Sequence, residues 1–188
     1  MNNLMNKAIF LDRDGVVIEN VATYVRAWTD VAILPGVLSA LARLSQTSYQ
    51  IVIVTNQSVV GRGIISLDAA QEINHRLLKT IHEAGGRVAD LLMCPHAPQD
   101  GCACRKPQPG LILQATLSLS IDLKRSILVG DALTDIRAGQ NAGVSTNVLV
   151  RTGRGAQQAL LPAAQYLAPF YIYNDLEEVV GAILANLL

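Results

Sequence analysis

Six short apolar runs punctuate the chain: Ala8–Leu11, Ile51–Val54, Leu91–Met93, Ile127–Val129, Asn147–Val150 and Phe170–Tyr173. Within them the apolar residues are nearly continuous rather than alternating, the pattern of strands buried on both faces of a parallel sheet. Between the runs the apolar spacing turns helical. Helices are predicted over about Val37–Leu44, Leu67–Ala84, Leu111–Leu119, Leu133–Ala142 and Leu176–Leu187. Pro35-Gly36 opens the first; Ser66 is a suitable N-cap for the second and Gly85-Gly86 a stop. Asp175 with Glu178 forms an acidic equivalent of a capping box at the last. Strand–helix alternation over the whole length predicts an α/β fold, a doubly wound, mainly parallel sheet, in a single domain spanning residues 1–188. Val16–Leu34 and Cys94–Gly110 are the irregular segments.

In an open α/β sheet, chemistry gathers beyond the carboxyl ends of the strands. Four runs end in polar groups: Asp12 and Asp14, Thr55-Asn56, a Cys/His segment, and Gly130-Asp131. Extended backbone lets Asp12 and Asp14 point the same way with Arg13 opposite. Two adjacent carboxylates repel unless a cation joins them or one keeps its proton. They therefore read either as a nucleophile or metal ligand beside an acid/base, or as a polar turn after a strand. Asp131 is a magnesium ligand by its chemistry, or it or Thr134 caps the helix that follows. Thr55-Asn56-Gln57-Ser58 offers hydroxyl, amide and backbone N–H groups to a phosphate. Gly61-Arg62-Gly63 adds a loop cation, and Arg105-Lys106 puts two more before Pro107.

Cys94-x-His96-x5-Cys102-x-Cys104 gives three thiolates and an imidazole, a closed tetrahedral set for a structural zinc. An odd, clustered cysteine count fits a metal site better than a disulfide framework. His75 and His82 have no such neighbours and read as surface histidines, and Trp28 as loop packing. Lys+Arg and Asp+Glu are 15 each, so the chain lacks the basic face of a nucleic-acid binder. Apolar residues make up 51%, enough for a real core, and with 4% aromatics that core must be aliphatic. No stretch reaches the roughly 18 apolar residues of a membrane span. Met1–Phe10 makes a poor signal peptide, because Asp12, Arg13 and Asp14 cut its apolar patch short. A cytoplasmic monomer acting on a small molecule, with neither nucleic-acid nor membrane partner, is the expectation.

Asp12-Arg13-Asp14-Gly15-Val16, Thr55-Asn56-Gln57-Ser58, Lys106 and Gly130-Asp131-x3-Asp135 together resemble, in order, the four motifs of the haloacid dehalogenase-like phosphatases. The run from Cys94 to Pro107 resembles the zinc loop of one branch of that family, which contains heptose-bisphosphate phosphatases and histidinol-phosphate phosphatases. The resemblance spans about residues 8–153. Ser58, Gly61-Arg62-Gly63, Asn20-x3-Tyr24-Val25, Leu34-Pro35-Gly36-Val37 and Leu149–Gly153 look like the heptose enzymes. Val59, where those enzymes usually carry glycine, and the short stretch between His96 and Cys102 depart from them.

The resemblance implies a magnesium-dependent phosphatase acting at the 7-position of a heptose bisphosphate, in the supply of activated heptose for surface polysaccharide. A histidinol-phosphate or other small sugar-phosphate phosphatase is the alternative. It further implies a nucleophile in Asp12 and an acid/base in Asp14. Magnesium would sit on Asp12, the Asp14 carbonyl and Asp131, and the phosphoryl group on Thr55 and Lys106. Asn20, Tyr24, Asn56, Gln57, Ser58 and Arg105 would face the sugar. Asp135 would support the metal or lie on the helix surface. No large cap domain is expected beyond the small zinc loop at residues 94–104.

Overall fold

A computed structural model describes residues 5–188. Met1–Leu4, part of the stretch read as a poor signal peptide, lie outside the described residues. The strands are β1 (Lys7–Leu11), β2 (Tyr49–Asn56), β3 (Val88–Cys94), β4 (Ile127–Gly130), β5 (Thr146–Val150) and β6 (Tyr171–Tyr173). They form one six-stranded sheet in the order β3-β2-β1-β4-β5-β6. Every pairing is parallel.

The twofold period of extended backbone sorts the strand residues into two cores. Ile9, Leu11, Ile51, Ile53, Val129 and Val150 face one layer of helices: α1 (Val37–Leu44), α3 (Leu67–Glu83) and α8 (Leu176–Leu184). Ala8, Phe10, Val52, Val54, Leu128 and Leu149 face the other: α4 (Gly110–Leu119), α5 (Leu133–Ala142) and α7 (Pro162–Leu167). Burial on both faces explains why the strands read as continuous apolar runs. Ser66 caps α3, its hydroxyl accepting from Ala69 N–H at 3.1 Å. Asp175 caps α8 by accepting from Glu178 N–H at 2.9 Å.

Several elements differ from the sequence expectation for identifiable reasons. Thr55 and Asn56, expected in a turn after β2, belong to the strand and pair with Met93 and Cys94. Edge strand β3 is longer than its apolar run, because Asp90 and its neighbours need cover on one side only. Two helices of four residues, α2 (Ser58–Gly61) and α6 (Gly155–Gln158), and the six-residue α7 are too short to show a helical period. Residues 12–36 and 95–109 leave the sheet as loops with short 3-10 turns. No large cap domain is inserted among the described residues. No helix there is long and apolar enough to cross a membrane.

The chain builds outward from β1, first to β2 and β3, then back across to β4, β5 and β6. The order therefore reverses between β1 and β4, the switch point where ligands bind in such sheets. Asp12 follows β1 and Asp131 follows β4, so the two aspartates end adjacent strands. Leu41 of α1 is wholly buried in the first core. Truncation by Leu41→Ala is expected to cost about 2–5 kcal/mol of stability, read from the urea unfolding midpoint.

Candidate active site

Asp12 continues β1 by one residue, its N–H donating to Val129 O at 2.9 Å. Its side chain is buried beside Lys106, with Nζ 2.8 Å from Asp12 Oδ1. The same ammonium lies 2.7 Å from Asp135 Oδ1 and donates to Val54 O at 2.9 Å. All three ammonium protons are thus used. Burial alone would lower the Lys106 pKa, but Asp12 and Asp135 outweigh it and hold the value above the ordinary lysine range. Asn56 fixes the lysine from behind. Its Oδ1 accepts from Lys106 N–H at 3.0 Å and its Nδ2 donates to Lys106 O at 3.1 Å.

Asp14 is set differently. Arg13 curls back to it, Nε donating to Oδ2 and Nη2 to Oδ1, each at 3.1 Å. Arg13 therefore does not point away, as strand alternation suggested. It is buried, and its Nη1 donates to Asn74 Oδ1 at 2.7 Å. Gln57 Nε2 donates to Asp14 Oδ2 at 2.8 Å and to Thr55 Oγ1 at 2.9 Å. Asp14 keeps 23% of its side chain accessible, whereas Asp12 keeps 7%.

Asp131 is completely buried. Neither it nor Thr134 caps α5; Asp135 does, its Oδ2 accepting from Ala132 N–H at 3.0 Å. Asp135 is buried too, which rules out a helix-surface role. Gly15 and Gly153 both have positive φ, and a Cβ on either would come within 2.3 Å of Asp131 Oδ2. The loops after β1 and β5 therefore close on Asp131 because both are glycine there. Thr152 Oγ1 ties them together, donating to Gly15 O at 2.6 Å.

Carboxylate oxygens of Asp12, Asp131 and Asp135 lie within 4.8 Å of one another. Burial, opposed by Lys106 but reinforced by Asp135, Asp131 and Asp14, pushes the Asp12 pKa up to about 8. Such crowding of buried anions with hard oxygen donors fits a divalent cation of the magnesium type. Asp14 contributes no carboxylate oxygen to this cluster, consistent with a role through its backbone carbonyl.

A cavity of about 390 Å³ opens over the cluster. Asp12, Asp14, Asn20, Tyr24, Asn56, Gln57, Ser58, Arg105 and Lys106 all line it. Thr55 and Asp131 sit behind its wall, in contact with Asp14 and Arg154 respectively. Asp135, Arg62, Thr134 and Arg154 also line it, with Val21, Ala22 and Val25 on its apolar side. Arg154 escaped the sequence reading. Its signal was its place after β5, a fifth strand end carrying a polar group.

Beside the cavity, Cys94, His96, Cys102 and Cys104 converge. Cys104 Sγ lies 3.2 Å from Cys94 Sγ, 3.5 Å from Cys102 Sγ and 3.3 Å from His96 Nδ1. Cys94 Sγ lies 3.6 Å from both Cys102 Sγ and His96 Nδ1. A tetrahedral metal–thiolate site with bonds near 2.3 Å has sulfur–sulfur edges of about 3.8 Å. The four donors thus fit one ion with little movement. Burial, with hydrogen bonding from the other two thiols, pushes the Cys94 thiol up to about 12. A bound cation would reverse that.

Comparison with known proteins agrees with this geometry. A family model described as HAD-hydrolase-like, the haloacid dehalogenase type, matches residues 103–179. The D-glycero-β-D-manno-heptose-1,7-bisphosphate 7-phosphatase of Bordetella bronchiseptica is 40% identical over 149 residues, covering 79% of this chain and 83% of that one. The enzyme of the same name from Pseudomonas aeruginosa is 35% identical over 176 residues, covering 94% and 97%. A crystal structure of the B. bronchiseptica D,D-heptose 1,7-bisphosphate phosphatase, complexed with magnesium and phosphate, superposes with a TM-score of 0.88. It is 37% identical and covers 96% of this chain and 99% of that one.

Fold and site together define a haloacid dehalogenase-like phosphatase, an enzyme that hydrolyses phosphoric monoesters. Within that class the chain belongs to the family of these bisphosphate phosphatases.

Replacing Lys106 by methionine would leave two buried carboxylates without their cation. Lys106→Met is expected to lower unfolding free energy by about 3–5 kcal/mol, measured by urea denaturation in the presence of chelator.

Proposed function

We propose that this enzyme removes the 7-phosphate of D-glycero-D-manno-heptose 1,7-bisphosphate through a phosphorylated Asp12. It would act as a single-domain cytoplasmic monomer in the supply of activated heptose for lipopolysaccharide. The observation that carries the chemistry is the shared cluster of Asp12, Asp131 and Asp135 with Lys106 against two of its members. The substrate rests on the names of the relatives together with a cavity lined by several cationic side chains, which suits an ester with two phosphate groups.

Asp12 has an oxygen beside the cavity and serves as nucleophile: it bonds to phosphorus as the bond to the sugar oxygen breaks. Asp14, more accessible than Asp12 and steadied by Arg13 and Gln57, gives its proton to the departing sugar oxygen. In the second half, the Asp14 carboxylate takes a proton from water as that water attacks phosphorus. The bond to Asp12 then breaks and phosphate leaves. Lys106 and Thr55 balance charge on the transferring phosphoryl oxygens. Asn20, Tyr24, Gln57, Ser58 and Arg105 face the sugar and its second phosphate. Asn56, whose amide is committed to the Lys106 backbone, helps shape that wall. A magnesium ion held by Asp12, the Asp14 carbonyl and Asp131 would neutralise the repulsion between an anionic nucleophile and an anionic ester.

The cysteine–histidine set would hold zinc with all four positions filled by protein, and so act structurally. The Cys94–Cys104 loop has little core of its own. The Lys106 backbone two residues on depends on where that loop lies.

Steady-state kinetics test the function. Rates on the heptose bisphosphate should exceed those on histidinol phosphate and unrelated monophosphates, and vanish with chelator. Equal rates across the panel would contradict the heptose assignment. Asp12→Asn should reduce turnover by at least about four orders of magnitude while the folded circular-dichroism spectrum persists. One zinc per chain is expected by elemental analysis, and its extraction should lower the melting temperature. An unchanged melting curve would contradict a structural ion.

A further inference from the structure

Arg62, Arg105 and Arg154 all line the cavity. Arg105 is drawn toward the cysteine loop, its Nη1 donating to His96 O at 3.3 Å. Arg154 is spent on a carboxylate. Its Nη2 lies 3.2 Å from Asp131 Oδ1 and its Nε 3.4 Å from Asp131 Oδ2. These contacts are long for charge-assisted hydrogen bonds, which run about 2.7–2.9 Å. More than half of the Arg154 side chain, 55%, is accessible, so water shares the interaction.

Asp131 does not need that guanidinium to stay in place. The Arg154 backbone N–H donates to Asp131 Oδ2 at 2.9 Å, and Asn20 Nδ2 donates to the same oxygen at 3.3 Å. The backbone around Arg154 is moulded to this task. Gly153 has φ +58° and presses on the carboxylate, and a Cβ on Gly155 would strike Val150 O. Main chain fixes the carboxylate; the side chain only neutralises it. A divalent cation on the Asp12–Asp131–Asp135 cluster would repel a guanidinium bound to the same carboxylate. Nothing in the packing holds the guanidinium against that repulsion.

We propose that Arg154 is a displaceable counter-ion serving two anions in turn. It neutralises Asp131 until a divalent cation arrives, then turns into the cavity to hold the non-reacting phosphate of a bisphosphate. This rests on the function proposed above and deepens it. The planar guanidinium can grip a phosphate through two parallel hydrogen bonds. Lys106 cannot serve that group as well, because it lies against the nucleophile Asp12 and is taken up by the reacting phosphoryl group. Cation loading therefore releases a phosphate ligand into the cavity, and a substrate with a second phosphate makes use of it.

The test compares wild type, Arg154→Ala and Arg154→Lys by two readouts. Calorimetric titration with Mn2+, without substrate, should show R154A binding the cation roughly two- to fivefold more tightly, the worth of a half-exposed ion pair. The ratio of kcat/KM on the heptose bisphosphate to that on heptose 7-phosphate should fall by about tenfold or more in R154A. In R154K, which keeps the charge but loses the fork, the ratio should fall less. Equal or weaker cation binding by R154A would overturn the proposal, since Arg154 would then merely support Asp131. An unchanged ratio would overturn it as well. A wild type that takes up no cation, or hydrolyses neither ester, contradicts the function itself. Normal uptake and hydrolysis with an unaltered ratio contradict the Arg154 role alone.

Discussion

Four carboxylates crowd the ends of two adjacent strands, and the arrangement around them answers to their mutual repulsion. Each has a cationic partner: Lys106 for Asp12 and Asp135, Arg13 for Asp14, Arg154 for Asp131. Three cations against four anions leave the cluster one charge short of neutral. Burial first, and then the neighbouring carboxylates, drive the Asp12 pKa upward against the pull of Lys106. Parallel strands at the switch point bring the residues together, and glycines at positions 15 and 153 let the loops close over them. The surplus of negative charge is the feature that makes a divalent cation fit, and a phosphate ester after it.

Placing Lys106 is the second half of the same problem. The residue comes from a loop outside the sheet, yet its ammonium must reach the buried ends of β1 and β2. The Asn56 side chain, at the last residue of β2, grips its main chain with two hydrogen bonds. The cysteine–histidine cluster pins the loop just upstream. Close backbone approaches support this at Gly61, where a Cβ would meet Ala97 N at 2.5 Å, and at Gly110, where it would meet Ala103 O at 2.3 Å. A loop with few apolar side chains is thus held by main-chain contact and by the convergence of its thiols and histidine.

The architecture was legible where sequence period and burial agree. Helices Val37–Leu44 and Leu133–Ala142 match their expected bounds, because one apolar face repeats cleanly and flanking glycines mark an end of each. The α2, α6 and α7 helices were not legible, being only one or two turns long. The acidic pair, the lysine and the thiol cluster could be read from residue type and spacing. Partnerships could not. That Asn56 serves Lys106 and that Asp135 is buried beside Lys106 depend on contacts between residues far apart in sequence, and Arg13 turns back to its neighbour Asp14 while Asn74, 61 residues on, takes its remaining Nη1 donor. Arg154 went unread because its one signal, its place after β5, comes without a partner at a recognisable spacing. Its meaning comes from Asp131, 23 residues away in sequence.

In the function proposed here, aspartates from separate loops converge on one divalent cation at the switch point. Anomalous diffraction from crystals soaked in Mn2+ tests it most directly. A single strong peak is expected within bonding distance of carboxylate oxygens of both Asp12 and Asp131. A saturating soak that leaves the space between them without a peak, or places manganese elsewhere on the molecule, would contradict it.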